Sequence, residues 1–277
     1  MITEKSFAKI NLFLHIINRR DDGYHNISTL MKKINLFDTI SIEDSDSFEI
    51  ISNEKSIPLN ENNIIWKVYS TLSSLYKISP IKVYLYKKIP WGAGLGGGSS
   101  NAATFLNLVD RMFHLNLTYE QKFHILEKVG SDTVFFIKDS DTVLAEGRGE
   151  ILTDGPTIPK LNLLLVKPSF PVSTKDAYEG VNLRLTKKFY IDKMPSFLGY
   201  SQLLSIMEND FESTVFKKYR ELGEIKNMLM AKGADISLMS GSGSTVYGLF
   251  SSKRAIENAY FHFKQNRNYF VLQTTTL

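Results

Sequence analysis

The sequence contains no cysteine, which excludes disulfide bonds, thiol catalysis and zinc sites built on cysteine. Its five histidines are scattered along the chain, with no spacing typical of a metal site. No apolar run reaches the roughly eighteen residues that a membrane-spanning helix needs, and residues 1–5 lack the features of a signal peptide. We therefore expect a cytoplasmic protein, in which any metal ion arrives together with a nucleotide.

The length and composition of the chain are typical of an ordinary globular protein. With 277 residues, of which 43% are hydrophobic and 22% charged, the chain can bury a substantial core and form one large domain or two modest ones. The net charge is only +4, and lysine and arginine are dispersed rather than gathered into one block. This charge does not exclude nucleic-acid binding. We nevertheless expect no nucleic-acid or membrane partner, and a monomer or weak homodimer.

One segment, residues 90–101 (PWGAGLGGGSSN), concentrates five glycines and two serines. Glycine permits positive φ, so successive N–H groups can turn toward one point and a phosphate can approach without meeting a Cβ atom. A helix that begins near Asn101 would add its first-turn N–H groups and the positive end of its dipole. A flexible linker is the alternative, but linkers seldom separate an alternating pattern (81–86) from a helical one (102–109). The segment predicts a phosphate-binding loop.

Three common phosphate-binding families can be set aside. Gly92, Gly94 and Gly97 satisfy the dinucleotide pattern G-x-G-x-x-G, but no strand ends in an acidic residue about twenty positions later, since Asp110 lies within the next helical pattern. A P-loop would end in Gly-Lys-Ser/Thr, whereas residues 98–100 are GSS. The chain also lacks the His-Arg-Asp and Asp-Phe-Gly triplets of protein kinases.

Periodicity predicts most of the elements of the first half of the chain. Extended segments are predicted at residues 7–17, 39–43, 48–52 and 81–89, a polar turn at 18–23, and helices at 63–76, 101–113 and 118–128. Thr118 and Gln121 predict a capping box for the last of these helices, and Gly130 can end it. Asp132 then follows just beyond the helix end.

The periodicity lapses at residues 154–159, where two prolines and a glycine mark a predicted domain boundary, with domains over 1–156 and 157–277. Beyond it, strands are predicted at residues 161–166, 236–239, 246–250 and 269–274, and helices at 174–180, 201–230 and 253–265. This order of a strand, helices, two strands, a helix and a strand suits a split βαβ layer, and the fold class is predicted as α+β.

Residues 90–103 resemble the second motif of the GHMP kinases, which include the kinases for galactose, homoserine and mevalonate, and residues 239–245 (MSGSGST) resemble their third motif. Five further segments also match, in the same order along the chain as in the family: residues 8–14 (AKINLFL), 22–25 (DGYH), 130–132 (GSD), 135–136 (FF) and 147–150 (GRGE). Together they are similar to the GHMP kinases that act on a cytidine diphosphate alcohol. Small departures at residues 6–7 and 133–134 touch no predicted catalytic group.

The resemblance implies both a fold and a reaction. The fold is the two-domain GHMP kinase fold, with an N-terminal ribosomal-S5-like α/β domain over residues 1–156 that binds ATP and carries catalysis. A C-terminal ferredoxin-like split βαβ domain over residues 157–277 would close on the substrate. The implied reaction transfers the γ-phosphate of ATP, with Mg²⁺, to the 2-hydroxyl of 4-diphosphocytidyl-2-C-methyl-D-erythritol in the non-mevalonate isoprenoid pathway.

The resemblance also implies two catalytic residues. Asp132 falls on the position of the family's general base, where a carboxylate within reach of the substrate hydroxyl orients it and accepts its proton. Lys9, alone in a strand-like apolar run, would keep Asp132 ionised and offset charge developing on the phosphoryl oxygens. Without the resemblance, Asp132 is typical of a turn or capping aspartate, and Lys9 of an edge-strand lysine that reaches water.

Four residues are implied as substrate contacts. Tyr24 and His25 follow a tight turn and would hold the cytosine by stacking and by reading its edge, and Tyr178 would cover it. Asn11, two residues after Lys9 and so on the same strand face, is a further contact. Without the resemblance, Tyr24 is typical of a core or turn aromatic and His25 of a surface residue.

The expected ATP ligands are the backbone and hydroxyl groups of the loop, with Asn63 at the adenine: Gly92, Gly94, Leu95, Gly96, Gly97, Gly98, Ser99, Ser100 and Asn63. Lys87 and Lys88 are further candidates around the adenine. Gly241 and Ser242 of the third motif are expected to bind the substrate, shaping and closing the site near its phosphate, and a plain strand-connecting turn is the alternative. No protein ligand is predicted for Mg²⁺.

Two rival functions share parts of this pattern. A homoserine, mevalonate or phosphomevalonate kinase would have the loop but would need no aromatic pair for cytosine, so Tyr24 and His25 argue against it. A nucleotide-binding regulator or RNA-binding module would keep the loop without catalysis. The presence of both Lys9 and Asp132 argues against that second rival.

Overall fold

The computed structural model describes residues 1–179, 181 and 194–277, and their contacts divide them into two compact units. Unit 1 comprises Met1–Ala8, Leu36–Trp91 and Gly96–Asp139. Unit 2 comprises Lys9–Asn35, Gly92–Leu95 and the described part of Ser140–Leu277. Gly92–Leu95, the first half of the glycine-rich stretch, therefore belong to unit 2, and its second half, from Gly96 onward, belongs to unit 1. The predicted domain boundary after residue 156 stays a prediction.

Two long strands, β1 (Ile2–Arg19) and β2 (His25–Asp44), contribute residues to both units. In unit 1, β2 pairs antiparallel with β4 (Ile81–Tyr86), and β4 pairs in parallel with β3 (Glu49–Ser52). Every second residue of β4, starting at Ile81, is buried. The alternating sequence of this strand therefore places one face against the core of unit 1, as its period of two predicts.

Four helices complete unit 1: α1 (Ile64–Leu75), α2 (Gly97–Met112), α3 (Tyr119–Glu127) and a 3₁₀ helix (Ser131–Ile137). The predicted capping box of α3 is confirmed, because Thr118 and Gln121 each accept a hydrogen bond from the backbone N–H of the other. The 3₁₀ helix packs against both α2 and α3. This packing fixes the turn that carries Asp132 relative to the start of α2.

In unit 2, the first part of β2 pairs antiparallel with β5 (Thr142–Gly147), which in turn pairs with β6 (Ile151–Asp154). The periodicity of the sequence predicts neither β5 nor β6. Three of the four residues of β6 are exposed, so a strand of this length carries almost no alternating signal. Its pairing with β5 defines it as a strand.

A separate four-stranded antiparallel sheet lies within unit 2, in the order β10-β7-β9-β8. Its strands are β7 (Asn162–Lys167), β8 (Ile236–Met239), β9 (Val246–Leu249) and β10 (Phe270–Thr275). The first and third of these strands in chain order lie at the centre, and a helix, α8 (Lys253–Lys264), connects the third to the fourth. This is the split βαβ arrangement, so the predicted α+β fold is confirmed.

The remaining helices of unit 2 are α4 (Thr174–Glu179), α5 (Tyr200–Ile206), α6 (Glu212–Lys218) and α7 (Arg220–Ala231). The predicted single helix over residues 201–230 is wrong, because three shorter helices occupy this stretch. Asn209 forms a bridge with Leu14 of β1, and this tertiary pairing interrupts the helical pattern. Gly180, the predicted end of α4, lies outside the described residues. No helix in the described ranges is long and apolar enough to cross a membrane.

Candidate active site

In unit 2, the first half of the glycine-rich segment lies directly on the third motif. The backbone of Gly94 has φ +71°, and a Cβ atom there would lie 2.1 Å from the carbonyl oxygen of Ser240 and 2.9 Å from that of Gly243. The Ser240 hydroxyl donates to the Gly94 carbonyl at 2.9 Å, and the Thr245 N–H donates to Ala93 at 3.2 Å. No residue larger than glycine fits at position 94, so two segments that are distant in sequence form one surface.

In unit 1, the second half of the segment forms the beginning of α2. Gly96 adopts the left-handed conformation with φ 69°, and the helix begins at Gly97 rather than near Asn101 as predicted. The first-turn N–H groups of α2 have no acceptor within the helix. Gly98 is exposed, and a Cβ atom there would meet only the Ile64 side chain, at 3.9 Å. The start of α2 is therefore open to an anion, as the sequence predicts for a phosphate.

A buried carboxylate, that of Asp38, stands behind this helix start. It accepts hydrogen bonds from the N–H groups of Lys88 at 2.7 Å and Ile89 at 2.8 Å, and from the Asn101 amide at 2.9 Å. It also forms an ion pair with Lys87, whose ammonium group donates to Asn101 Oδ1 at 3.0 Å. Asp38 is fully buried, so this carboxylate ties the end of β4 to the first turns of α2.

The same network reaches one of the two predicted phosphate-binding serines. The Asn101 amide donates to the Ser6 hydroxyl at 2.9 Å, and Ser6 donates to Ser100 at 2.8 Å. Ser100 is buried, whereas Ser99 is partly exposed beside the open helix start. Of the two serines, Ser99 has the more accessible hydroxyl, and Ser100 belongs to the network within unit 1.

The predicted general base, Asp132, lies in the first turn of the 3₁₀ helix and is half-buried. Thr133, the next residue, places its hydroxyl 2.8 Å from the Leu126 carbonyl and 2.5 Å from that of Gly130. The Ile64 side chain lies within 3.9 Å of the Cβ positions of both Gly98 and Gly130. The turn before Asp132 and the open start of α2 therefore border the same side chain.

In unit 2, Lys9 and Asn11 lie together on β1, and both are buried. The Lys9 ammonium group donates to Asn11 Oδ1 at 2.7 Å, and the Lys9 N–H donates to the Leu95 carbonyl at 3.0 Å. The Asn11 amide donates to the Thr29 hydroxyl at 2.7 Å. Lys9 is thus a buried lysine held beside the glycine-rich segment, and not an edge-strand lysine that reaches water.

The third motif approaches the same pair of residues. A Cβ atom on Gly241 would lie 3.3 Å from the Gly94 carbonyl and 3.5 Å from Asn11 Oδ1. Asn209 donates to the carbonyl groups of Met239 and Gly241 at 2.6 and 2.8 Å, and so shapes the turn of the motif. Unit 2 therefore brings Lys9, Asn11, Gly94 and Gly241 together, although they come from three separate segments of the chain.

Two further residues of unit 2, Tyr247 and Ser242, lie beside this group. The Tyr247 hydroxyl donates to the Asn11 carbonyl at 2.8 Å, and complete burial raises the pKa of this tyrosine well above its ordinary value. Ser242 is partly exposed and shares a hydrogen bond of 3.0 Å with Thr174 at the start of α4. The third motif thus contacts α4, which also carries Tyr178.

The predicted cytosine site brings two of its three aromatic residues into contact. The His25 and Tyr178 rings stack with centroids 4.7 Å apart and an interplanar angle of 16°. Tyr24 is 59% exposed, and the Arg148 guanidinium lies 5.3 Å from its ring centroid. Burial, and secondarily the charge of Arg19, lowers the pKa of His25, which favours a neutral imidazole.

Asn63 has a structural role in the described residues. Its side-chain oxygen accepts from the Ile65 N–H at 2.9 Å and caps α1, and its amide donates to the Pro58 carbonyl at 2.7 Å. It is buried in unit 1. Its predicted contact with adenine stays a prediction.

Within residues 1–179, 181 and 194–277, no group of three or more histidine and acidic residues is arranged to hold a metal ion. The start of α2 in unit 1 presents backbone N–H groups of glycine and the partly exposed Ser99 hydroxyl. Backbone N–H groups of this kind suit a phosphate that brings its own cation.

Several residues that shape the site were not predicted from the sequence: Thr29, Asp38, Asn101, Arg148, Asn209 and Tyr247. Asp38 had a weak local signal, because it is the single charged residue in the strand-like run 34–40 (INLFDTI). Arg148 belongs to the matched segment GRGE but had no role assigned to it. The others become visible only when distant segments pair.

Two family models match the chain: "GHMP kinases N terminal domain" over residues 63–139, and "GHMP kinases C terminal" over residues 198–267. The chain is 38% identical over 270 residues to the 4-diphosphocytidyl-2-C-methyl-D-erythritol kinase of Thermoanaerobacter pseudethanolicus, covering 95% of this chain and 92% of the relative. It is 37% identical over 280 residues to the kinase of the same name from Geobacter metallireducens, covering 100% and 99% of the two chains.

The fold is similar to solved structures as well. A crystal structure of a 4-(cytidine 5'-diphospho)-2C-methyl-D-erythritol kinase superposes with a TM-score of 0.82 at 26% identity, over 100% of both chains. A homoserine kinase from Cytophaga hutchinsonii superposes with a TM-score of 0.70 at 18% identity, over 99% of this chain and 94% of that one. The second likeness concerns the fold alone.

Proposed function

The chain belongs to the 4-diphosphocytidyl-2-C-methyl-D-erythritol kinases within the GHMP kinases, and we propose that it transfers the γ-phosphate of ATP to the 2-hydroxyl of 4-diphosphocytidyl-2-C-methyl-D-erythritol. The observation that carries this proposal is the convergence of Lys9, Asn11, Gly94 and Gly241 in unit 2. A phosphate-binding segment and a buried lysine in one place suit phosphoryl transfer, which depends on positioning and charge stabilisation.

ATP would bind through its phosphates at the glycine-rich segment. The open start of α2 supports this assignment, because the first-turn N–H groups near Gly97 and Gly98 can donate to phosphate oxygens. The accessible hydroxyl of Ser99 is a further donor. Mg²⁺, bound to the phosphates of the nucleotide, would neutralise part of their charge.

In the proposed reaction, the 2-hydroxyl oxygen of the substrate forms a bond to the γ-phosphorus while the bond from that phosphorus to the β,γ-bridging oxygen breaks, and ADP leaves. Asp132 would orient the hydroxyl and accept its proton. Lys9 would offset the charge that develops on the transferred phosphoryl oxygens. The contact of Lys9 with Asn11 supports this role, since it fixes the ammonium group beside the glycine-rich segment.

The cytidine moiety would bind beside His25 and Tyr178. A neutral imidazole can both donate and accept a hydrogen bond, which suits the mixed edge of cytosine, and the lowered pKa of His25 favours that form. The exposed ring of Tyr24 and the Arg148 guanidinium next to it would add stacking and positive charge for a base and its diphosphate. We also propose that the enzyme works in the cytoplasm, without a nucleic-acid or membrane partner, as a monomer or weak homodimer.

A panel of acceptors tests the substrate assignment directly. ATP consumption would be measured with the cytidine diphosphate alcohol, homoserine, mevalonate and phosphomevalonate at equal concentrations. We expect turnover only with the cytidine compound, because the other three acceptors have no base that the aromatic residues of unit 2 could bind. A preference for any other alcohol would refute the assignment.

The Asp132→Asn variant tests the mechanism. We expect kcat to fall by more than about ten-fold, a loss above roughly 1.4 kcal/mol, while the Kd of the cytidine substrate stays near that of the parent. Asp139→Asn, which alters an exposed carboxylate of the same unit, is the matched control and should keep the kcat of the parent. An Asp132→Asn variant with more than a tenth of the parent kcat would exclude Asp132 as the general base.

A further inference from the structure

A chain of three buried hydrogen bonds in unit 2 ends on the Lys9 ammonium group. Thr29 donates its hydroxyl proton to the Phe13 carbonyl at 2.6 Å. The Asn11 amide donates to the Thr29 oxygen at 2.7 Å, and Asn11 Oδ1 accepts from Lys9 at 2.7 Å. We call this chain the Thr29 relay; it comprises Phe13, Thr29, Asn11 and Lys9.

The two ends of the Thr29 relay determine the direction of every bond within it. A backbone carbonyl can only accept, so the single hydroxyl proton of Thr29 goes to Phe13. The Thr29 oxygen is then left to accept, and the Asn11 side chain must turn its NH₂ group toward it. Asn11 Oδ1 consequently faces Lys9, whose ammonium group can only donate.

Burial makes the opposite orientation of Asn11 costly. Asn11, Thr29 and Lys9 are each no more than 3% exposed, so water cannot compensate for a misdirected group. If the Asn11 side chain turned over, its NH₂ group would face the ammonium group of Lys9, and its oxygen would face a hydroxyl whose proton is already used. Both contacts would then be unfavourable.

We propose that Thr29 is a positioning residue for phosphoryl transfer: its hydroxyl fixes the orientation of Asn11 and thereby the position of the Lys9 ammonium group. This inference rests on the proposed function, because it gives Lys9 the role of stabilising the transferred phosphoryl group. The Thr29 hydroxyl donates to Phe13 and accepts from Asn11. It acts on the reaction through Asn11 and Lys9.

Substitution of Thr29 by valine tests the relay, since valine has nearly the same shape and favours a strand but has no hydroxyl. We expect kcat to fall about ten- to a hundred-fold, as for a catalytic group misplaced by about 1 Å, with the KM for ATP within about two-fold of the parent. Thr29→Ser keeps the hydroxyl and should restore most of kcat. If Thr29→Val does not fold, Thr29→Ala repeats the test with a smaller side chain.

A matched control separates this effect from simple loss of a buried hydroxyl. Thr276 is 1% exposed in the same unit, and its hydroxyl oxygen accepts from the Leu161 N–H at 3.0 Å. Thr276→Val should lower the melting temperature about as much as Thr29→Val but leave kcat unchanged. Equal kcat values in the two valine variants would overturn the proposal.

A double substitution distinguishes failure of the relay from failure of the proposed function. We expect Lys9→Met to lose most of kcat, and Lys9→Met with Thr29→Val to lose no more than Lys9→Met alone, because Thr29 acts through Lys9. A further loss equal to that of Thr29→Val would overturn the relay and leave the role of Lys9 intact. A Lys9→Met variant with the kcat of the parent would instead overturn the role of Lys9 in the proposed function, and the relay with it.

Discussion

The two units contain polar networks of different kinds, each beside residues of the predicted site. In unit 1, the Asp38 carboxylate collects hydrogen bonds from Lys87, Asn101 and two backbone N–H groups. In unit 2, Asn11 is a neutral amide within a chain of single hydrogen bonds. The first network is centred on a charge, and the second depends on the direction of each donor.

This difference matters because charge and direction contribute differently to a site. Hydrogen bonds to an ionised group are roughly twice as strong as neutral ones, so the Asp38 network suits the task of anchoring a helix. In the chain of unit 2, only the bond from Lys9 involves a charged group, so its other bonds contribute less free energy, but each member accepts only one arrangement of protons. It therefore suits the task of orienting one side chain for chemistry.

Substitution of one glycine in each unit, Gly94 in unit 2 and Gly98 in unit 1, should give the largest contrast between the units. We expect Gly94→Ala to lose more than about 5 kcal/mol of unfolding free energy, because its Cβ atom would lie 2.1 Å from the Ser240 carbonyl. The left-handed φ of Gly94 adds strain. Urea denaturation, or failure to recover folded protein, measures the effect.

Gly98→Ala is the matched substitution in unit 1. A Cβ atom there meets only Ile64 at 3.9 Å, and alanine is favoured over glycine in a helix by about 1 kcal/mol. We expect this variant to be as stable as the parent or slightly more stable. If both alanine substitutions lowered the free energy of unfolding equally, the close contact of Gly94 with the third motif would not explain the loss at position 94.

Removal of the charged centre of unit 1 should have the next largest effect. Asp38→Ala leaves the buried Lys87 side chain and two backbone N–H groups without their acceptor, so we expect a loss of about 3–5 kcal/mol in unfolding free energy. Glu49→Ala, which breaks an exposed pair with Lys82, is the control and should cost less than about 1 kcal/mol. Comparable losses in the two variants would contradict the anchoring role of Asp38.

Removal of one neutral hydrogen bond in unit 2 should cost less. Tyr247→Phe takes away the hydroxyl that donates to the Asn11 carbonyl, and we expect a loss of about 1–2 kcal/mol together with a lower kcat. Tyr84→Phe removes a hydroxyl that donates to Glu43 at 2.7 Å in unit 1, and it should leave kcat unchanged. A Tyr247→Phe variant as unstable as Asp38→Ala would remove the distinction between the two networks.

The smallest predicted effect concerns pH. Burial and Arg19 lower the pKa of His25 below its ordinary value, so the unfolded state binds more protons than the folded state between the two pKa values. The contribution of His25 to stability is therefore complete above about pH 6.5 and is lost as the pH falls through the folded-state pKa. Urea denaturation of the parent and of His25→Gln at several pH values should show a smaller decline for the variant. An identical decline would contradict the shift.

Local sequence patterns predict much of the secondary structure. They predict little of the hydrogen-bond networks, whose members come from distant segments of the chain. The alternation in β4 and the capping box at Thr118 depend on near neighbours, so they could be predicted from the chain alone. The start of α2 could not be predicted, because glycine has a low helix propensity and Gly97 lies in a glycine cluster typical of a loop. The break near Asn209 depends on pairing with β1, which no local pattern contains.

The sequence predicts those residues of the candidate site that belong to recognisable motifs. Gly94 and Gly241 could be singled out because glycine clusters are unusual, and their contact follows from the fold. The sequence does not single out Thr29 or Asn209, since threonine is common in strands and asparagine is common in turns. Their importance arises from the carbonyl groups that they meet, and those partners are set by the path of the backbone.

The far end of the Thr29 relay is the main-chain carbonyl of Phe13, and every amino acid possesses that group. No codon change at position 13 can delete it. The orientation of Asn11, the partner of Lys9, therefore depends on the path of β1 and not on the side chain of residue 13.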